Sequence, residues 1–434
     1  MELNNLLLII YIIVDSIQYR NKELVFNFIV ALILTKGGFI TEIIQRRITQ
    51  YHFTTLYKFI ERENWLFLDI HQKIILVLIR MFKLRVIYLI IDDTFIYRSR
   101  KEKVLKGSIF YDHSKKPNKK KYIYGQNLLL MAAVVKVKGV EIALPIIAHI
   151  LTYGQEMNSN KITSAKKMLL ITKYFLEKYG IKPEKLTVLS DAFFSKKNFF
   201  TCHEFFSFVV QIRHDSALFL DPPKKRPKHK RGRKPKYGKR ITVTSRSLRK
   251  STVLNVYGKE HIVHYLSRRC RARVLNGQEV IALWLRFDEQ KKIHLIISTD
   301  LSLSPMDLLR VYEKRNMIES LFNDLKNHFG LNKLWYQKEV PYAKMLYLKL
   351  WTYIIIKISS VLNKDVIKTY VEEYLPWRIK SKNTIPVTAG ITQLLLSQFL
   401  GLMTYKAFQS KVQKIIKHQN LYEKNKYFTN NQMT

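Results

Sequence analysis

Residues 312–326 read YEKRNMIESLFNDLK. A helix advances about 100° per residue, so Tyr312, Arg315, Glu319 and Lys326 fall within an arc of roughly 60°. Val311, Ile318, Phe322, Leu325 and Phe329 form the neighbouring apolar arc, the side that packs on a core. The polar stripe therefore runs along the margin of the buried face. A plain surface helix held by i,i+4 ion pairs would carry a similar stripe, so the rest of the chain must say what it is for.

The apolar pattern upstream is that of strands. RVIYLIIDDT (85–94) is a continuous apolar run ending in two carboxylates and a threonine, which describes a buried strand with a polar carboxyl end. NLLLMAAVVKV and VEIALPIIAHIL, separated by a Lys-Gly turn, read as a hairpin. A basic amphipathic helix follows at Thr163–Tyr179. KLTVLSDAFFS is a second short strand ending in an acid, Asp191; a helix near Lys196–Phe206 and the strand FSFVVQIR complete the series. Three strands, a helix, a strand, a helix and a strand describe an α/β, RNase H-like core.

That core is interrupted. Lys224–Arg240 has Lys or Arg at eleven of seventeen positions, and no acid occurs between Asp221 and Glu260. VLNVYG, HIVHYLSRR, EVIALWLRF and KIHLIIST then read as antiparallel strands. The expected organisation is a helical DNA-binding region at 1–80, a first part of the core at 84–213 and a β-rich insertion with a basic loop at 214–303. A catalytic helix segment at 304–336, with its helix over Ser304–His328, and a helical region at 337–434 complete it. TKGGFITEIIQRRITQYHFTTLYKFI, in the first region, looks like two short helices around a turn.

Acids at the ends of buried strands suit metal-assisted phosphodiester chemistry. Mg²⁺ takes a few carboxylates with water and phosphate oxygens, and open α/β sheets expose their functional edge at strand carboxyl ends. Asp92 or Asp93, together with Asp191, occupies such ends, and Glu319 would reach them from a helix across the sheet. Each acid alone could equally cap a turn.

Together these residues resemble a known family. Tyr312, Arg315, Glu319 and Lys326 match the Y-x2-R-x3-E-x6-K signature of bacterial insertion-sequence DDE transposases. IIDDT is similar to the D-x-T segment of that class, VLSDAFFS to its D-x-aromatic segment, and FVVQIRHDS to the basic-ended strand that follows. The similarity runs from about residue 84 to 335. It implies a metal-binding catalytic triad of Asp92, Asp191 and Glu319, with Asp92 chosen over Asp93 by the D-x-T spacing. Two Mg²⁺ ions, or Mn²⁺, are the implied cofactors. Tyr312, Arg315 and Lys326 would contact phosphates of the transposon end. The implied partners are terminal inverted repeats, target DNA and a second copy of the chain in a synaptic dimer. Some relatives hold a flipped base on a tryptophan in the insertion, where this chain has His294 with Trp284 nearby; Asn316 also stands where relatives often have an aromatic.

The charge balance agrees with a DNA partner. Lys+Arg 75 against Asp+Glu 33 leaves +42, and a polyanion relieves such self-repulsion. RGRKP, with Arg231 and Arg233, resembles an AT-hook core, though a solvated phosphate-binding loop has the same composition. KKPNKKK (Lys115–Lys121) is a second basic cluster. Leu6–Val14 is too short to span a membrane, and Met345–Leu362 carries Lys349 and Lys357, as a buried core helix would. Cys202 and Cys270 have no metal-finger spacing, which fits a reducing cytoplasm and a nucleoid-associated protein. Two alternatives share these features: a transposase-derived DNA-binding protein without catalysis, and an RNase H-like nuclease indifferent to terminal repeats.

Overall fold

The apolar run after Leu84 forms β1 (Val86–Tyr97), the axis of a mixed sheet of eleven strands. The computed structural model describes residues 3–17, 21–35, 40–46, 48–62, 67–82, 86–99, 104–111, 122–152, 157–181, 185–202, 204–223, 235–256, 259–288, 292–379, 387–401 and 403–418. β2 (Ser108–Tyr111), β3 (Tyr122–Val137), β4 (Val140–Ile150), β5 (Lys185–Ser190) and β6 (Ser207–Ile212) follow in the chain. β1 pairs antiparallel with β3 and parallel with β5, and β5 pairs parallel with β6. With β4 antiparallel to β3, the order across this half is β4-β3-β1-β5-β6.

Local chemistry explains the hairpin at its edge. Lys138 and Gly139 both have positive φ, 43° and 83°, the conformation that joins two twisted strands through a two-residue turn. β3 is buried along nearly its whole length, as its unbroken apolar sequence requires of a strand covered on both faces. β4 contains Pro145 at a register shift opposite Met131/Ala132, a place where a proline costs no ladder bond.

The β-rich segment continues the same sheet. β7 (Leu218–Phe219), β8 (Lys250–Val256), β9 (Lys259–Ala272), β10 (Gln278–Phe287) and β11 (His294–Ser298) form it. β11 pairs antiparallel with β6, matching Leu295 to Ile212, and β10, β9 and β7 extend outward from there. The basic run from Lys224 to Lys234, which includes Arg231 and Arg233, lies outside the described residues, as does Lys115–Lys121.

Helices flank the sheet. α1 (Leu3–Asp15), α2 (Lys22–Thr35), α3 (Ile40–Gln45), α4 (Phe53–Arg62) and α5 (Phe67–Met81) precede it. α6 (Met157–Lys178) connects β4 to β5; α7 (Pro305–Glu313) and α8 (Met317–Asn327) follow β11. α9 (Glu339–Leu362), α10 (Lys364–Tyr374), α11 (Ala389–Leu400) and α12 (Tyr405–His418) close the described chain. α1, α2, α4, α5 and α11 all pack on α9, so helices from both ends of the sequence share one apolar core with the sheet. α10 and α11 hold a small core of their own around Ile367, Tyr370 and Leu395.

Among the described residues α9 is the one helix long and apolar enough to cross a membrane, and most of its apolar stretch is buried inside the protein. Its lysines are satisfied there: Lys344 and Lys349 donate to the carbonyls of Phe59 and Phe329 at 2.8 and 2.9 Å. His71 on α5 closes the β4 edge, its Nε2 2.8 Å from the Pro145 carbonyl while its Nδ1 accepts from the Trp351 indole at 2.9 Å. Those two bonds fix a neutral tautomer, and burial pulls the His71 pKa down to about 4.

One expected element differs. The helix read near Lys196–Phe206 is two short 3₁₀ turns, Ala192–Phe194 and Phe199–Cys202. The Asp191 carboxylate and the Ser195 hydroxyl bond nearby backbone, at 3.0 Å to Phe193 N and 2.6 Å to Ala192 O, and so compete with a regular helix. Phe199, Phe200 and Phe208 pack ring against ring beneath the turns.

Gly125 sits where β3 meets β1 and β2 together, opposite Tyr97 and Ser108. A β-carbon there would lie 2.2 Å from the Ile96 carbonyl oxygen, a backbone atom that cannot rotate aside. Gly125→Ala is therefore expected to lower unfolding free energy by about 1–3 kcal/mol or more. Urea denaturation of the variant beside the parent chain measures this, and an unchanged midpoint contradicts it.

Candidate active site

Two parallel strands deliver the first two acids. Register pairs Ile91 of β1 with Ser190 of β5, so Asp92 and Asp191 stand side by side where β5 stops. The expected strand end at Asp92–Thr94 is not one, since β1 runs on to Tyr97 paired with β3. Neighbouring strands lie about 4.8 Å apart. Asp191 also caps the turn that follows it, accepting from the Phe193 amide at 3.0 Å.

Strand alternation separates the paired aspartates. Asp92 and Thr94 face the segment leading into and along α8, where Asp92 Oδ2 accepts from Arg315 at 2.7 Å and Thr94 Oγ1 from Lys326 Nζ at 2.6 Å. Asp93 points to the other face, ion-paired with Lys161 of α6 and accepting from Asn127 Nδ2 at 2.7 Å. The geometry thus places Asp92, not Asp93, on the side of Glu319.

The expected single helix over 304–328 is two helices, α7 and α8, joined by a 3₁₀ turn at Lys314–Asn316. No proline or glycine marks this tightening in the sequence. Ser304 caps α7 by accepting from the Asp307 amide at 3.2 Å, and Pro305 occupies the first turn where its missing N–H is harmless. The four signature residues still share one side. Tyr312, largely buried, donates to Gln211 Oε1 of β6 at 2.9 Å. Arg315 bonds Asp92 and, at 3.0 Å, Glu319 Oε1, while Lys326 reaches Thr94. Tyr312, Arg315 and Lys326, read from sequence as phosphate contacts, are here engaged with protein groups.

Arg315 is the centre of this arrangement. Its guanidinium spans an acid from β1 and an acid from α8, drawing together residues 223 and 4 positions away in sequence. Burial opposes its charge, but Asp92, Tyr312, Asp191 and Glu319 together outweigh that and keep it protonated. Glu319 remains largely exposed, with 61% of its side-chain surface accessible. Asp92 is enclosed, and burial pushes its carboxyl up to about 7; Arg315 opposes the rise, while Asp191 and Asp93 add to it. Burial likewise lowers the Lys326 ammonium below its ordinary value.

Asp92, Asp191 and Glu319 supply hard oxygen donors of the type Mg²⁺ selects. Among the described residues, no three His, Cys, Asp or Glu side chains stand close enough together to hold an ion as they are now placed. The Arg315 guanidinium lies between two of the donors. His294, at the start of β11, pairs opposite Leu285 and has its Nδ1 3.3 Å from Gln211 Nε2; Trp284 is 2% exposed and presents no stacking surface. Gln211 and Lys161 were missed by sequence reasoning. The lone amide in FSFVVQIR was a usable signal for Gln211, whereas Lys161 is one cation among several on a basic helix.

The sequence matches no protein-family model, and a search of curated proteins returns no match.

The raised Asp92 pKa fixes a sign. An ordinary carboxyl at 3.8 ionises freely in the unfolded chain, whereas the folded one holds its proton up to about 7. The native state therefore binds the extra proton between those values, and its stability falls as pH rises through that window. At about 1.4 kcal/mol per unit the loss is at most about 4 kcal/mol by pH 8. Asp92→Asn, which mimics the neutral carboxyl, is expected to be more stable than the parent at pH 8 and about equal at pH 4. Urea midpoints at the two pH values check this; a less stable variant at pH 8 contradicts it.

Proposed function

We propose that this chain is a DDE transposase whose RNase H-like core performs metal-dependent cleavage at transposon ends and strand transfer into target DNA. The strand order β4-β3-β1-β5-β6, with β1, β5 and β6 parallel, supports the core assignment. The segment from 214 to 303 then interrupts that core before α7 and α8 return to it. The observation that carries the reading is Arg315 bonded at once to Asp92 and Glu319, because it gathers a strand acid and the helix acid of the signature at the end where Asp191 also stands.

Asp92, Asp191 and Glu319 would hold two Mg²⁺ or Mn²⁺ ions. When bound, such ions activate an attacking hydroxyl and stabilise the leaving oxygen of a phosphodiester. The chain's own residues supply the positioning. Arg315 and Lys326 exchange their present acceptors, a carboxylate and a hydroxyl, for phosphate oxygens of the transposon end. Tyr312 is held against β6 by Gln211, and its position on the stripe keeps its ring beside the same backbone. Orientation of the scissile bond by several such contacts is a large part of the barrier reduction available to the site. The net charge of +42 supplies the long-range attraction for DNA, which falls steeply with salt. Two ends are joined in transposition, so the working species is a dimer on DNA in the cytoplasm.

The decisive assay incubates the full chain with Mg²⁺ and duplexes that carry or lack the inverted repeats bracketing its coding region. Cleavage at the repeat ends is expected, with Glu319→Gln, Asp92→Asn and Asp191→Asn each reducing it by about a thousandfold, the several kcal/mol a metal site contributes. Full activity in Glu319→Gln overturns the triad. Equal cleavage of duplexes without repeats indicates a general nuclease, and end binding without cleavage in Mg²⁺ or Mn²⁺ indicates a binding protein.

A further inference from the structure

On the face of the sheet opposite Arg315, one ammonium holds a residue close in sequence to each of Asp92 and Asp191. Lys161 Nζ is ion-paired with the Asp93 carboxylate, and the same atom lies 3.8 Å from the centre of the Phe193 ring. The main-chain amide of Asp93 donates to Asp92 Oδ1 at 2.9 Å, and that of Phe193 donates to Asp191 Oδ1 at 3.0 Å. Asp92 and Asp191 thus each accept a hydrogen bond from a residue whose side chain is held by Lys161.

We infer that Lys161 is a positioning residue, fixing the orientations of Asp92 and Asp191 together through Asp93 and Phe193 without touching either acid. The inference rests on the metal-site reading above and deepens it.

Three features carry it. Lys161 and Asp93 are largely enclosed, with 14% and 12% of their side-chain surfaces accessible, so their attraction is not dispersed by solvent as a surface pair's would be. Asn127 donates to the second Asp93 oxygen at 2.7 Å, leaving that carboxylate held from both sides. Lys161 also lies 5.5 Å from the Phe194 ring centre, so an aromatic pair forms the floor under the ammonium, an electrostatically favourable seat for a cation. The rings in turn fix the turn that Asp191 caps. Loss of the ammonium frees the Asp93 side chain on β1 and the turn after β5 at once. Two carboxylates whose relative placement decides ion binding then lose their common anchor, and outer partners of this kind contribute about tenfold to a hundredfold in metal affinity.

The test uses the full chain without DNA and reads Mn²⁺ affinity from the free-ion electron paramagnetic resonance signal. Lys161→Met keeps the stem over the rings and removes the charge. It is expected to weaken Mn²⁺ binding by roughly tenfold, and Lys161→Arg is expected to restore most of it. Asp93→Asn, which removes the other half of the pair with little change of shape, is expected to weaken binding similarly and serves if Lys161→Met fails to fold. Glu319→Gln is measured alongside. Wild-type affinity in both Lys161→Met and Asp93→Asn, with Glu319→Gln impaired, overturns the role of Lys161 and leaves the metal site standing. A loss in Lys161→Met that arginine does not restore also overturns it, assigning the effect to packing. Equal affinity in the parent and Glu319→Gln removes the metal-site reading and this inference with it.

Discussion

A guanidinium shared by two carboxylates from distant parts of the chain constrains everything around it. Enclosing Arg315 is unfavourable unless its charge is met, and apolar residues in its place would often stabilise a fold as well or better. The pair therefore makes demands on the surrounding structure. β1 must present Asp92 to the start of α8, the chain must tighten through Lys314–Asn316, and α8 must be backed by α9, which it meets through the Lys357–Asp324 ion pair at 3.3 Å. Lys314 adds a tether on the same turn through its ion pair with Glu141 of β4. A helix crossing a sheet to cover apolar surface alone would need none of these polar restraints.

The sheet divides the acidic end into two faces with different partners. Adjacent residues on a strand point in opposite directions, so Asp92 meets Arg315 while Asp93 meets Lys161. Two neighbouring carboxylates would repel if both met the same space. Separation by the pleat lets each find its own cation, and the backbone amide of Asp93 ties one to the other. The double aspartate is then an enclosed acid turned towards Arg315 next to one held by Lys161 on the other face.

Much of this could be read from the residues, and the failures have physical causes. β1, β5 and β6 were legible because a strand covered on both faces needs an unbroken apolar run, but the end of β1 was not: it passes through Asp92–Thr94 to Tyr97, held there by β3. The Lys138–Gly139 hairpin was legible from turn chemistry, and the stripe of Tyr312, Arg315, Glu319 and Lys326 from helical periodicity. Which aspartate faces α8 was not, since that depends on register with β3 and β5, set by partners far away in sequence. The pairing of β11 with β6 was hidden for the same reason: alternation marks a strand without naming its neighbour. The 3₁₀ segments at 192–202 and 314–316 arise from side chains competing for backbone and from tertiary contacts, neither of which leaves a periodic trace. Lys161 matters through what β1 and β5 place beneath it, and no local pattern on α6 records that.

The acidic stretch of β1 is also a local exception in a strongly basic chain. Asp92, Asp93, Asp191 and Glu319 are four of the 33 acids in the sequence; Arg315 bonds Asp92 and Glu319, Lys161 pairs with Asp93, and Asp191 accepts from the Phe193 amide. Four carboxylates gathered without cations would repel one another, and Arg315 and Lys161 offset part of that repulsion. The arrangement is costly to the fold, as the raised Asp92 pKa records: its ionised form is disfavoured by the same burial that brings it to Arg315. Asp92 is thus a carboxyl held against its own desolvation, while Glu319, the other acid bonded by Arg315, stays open to solvent.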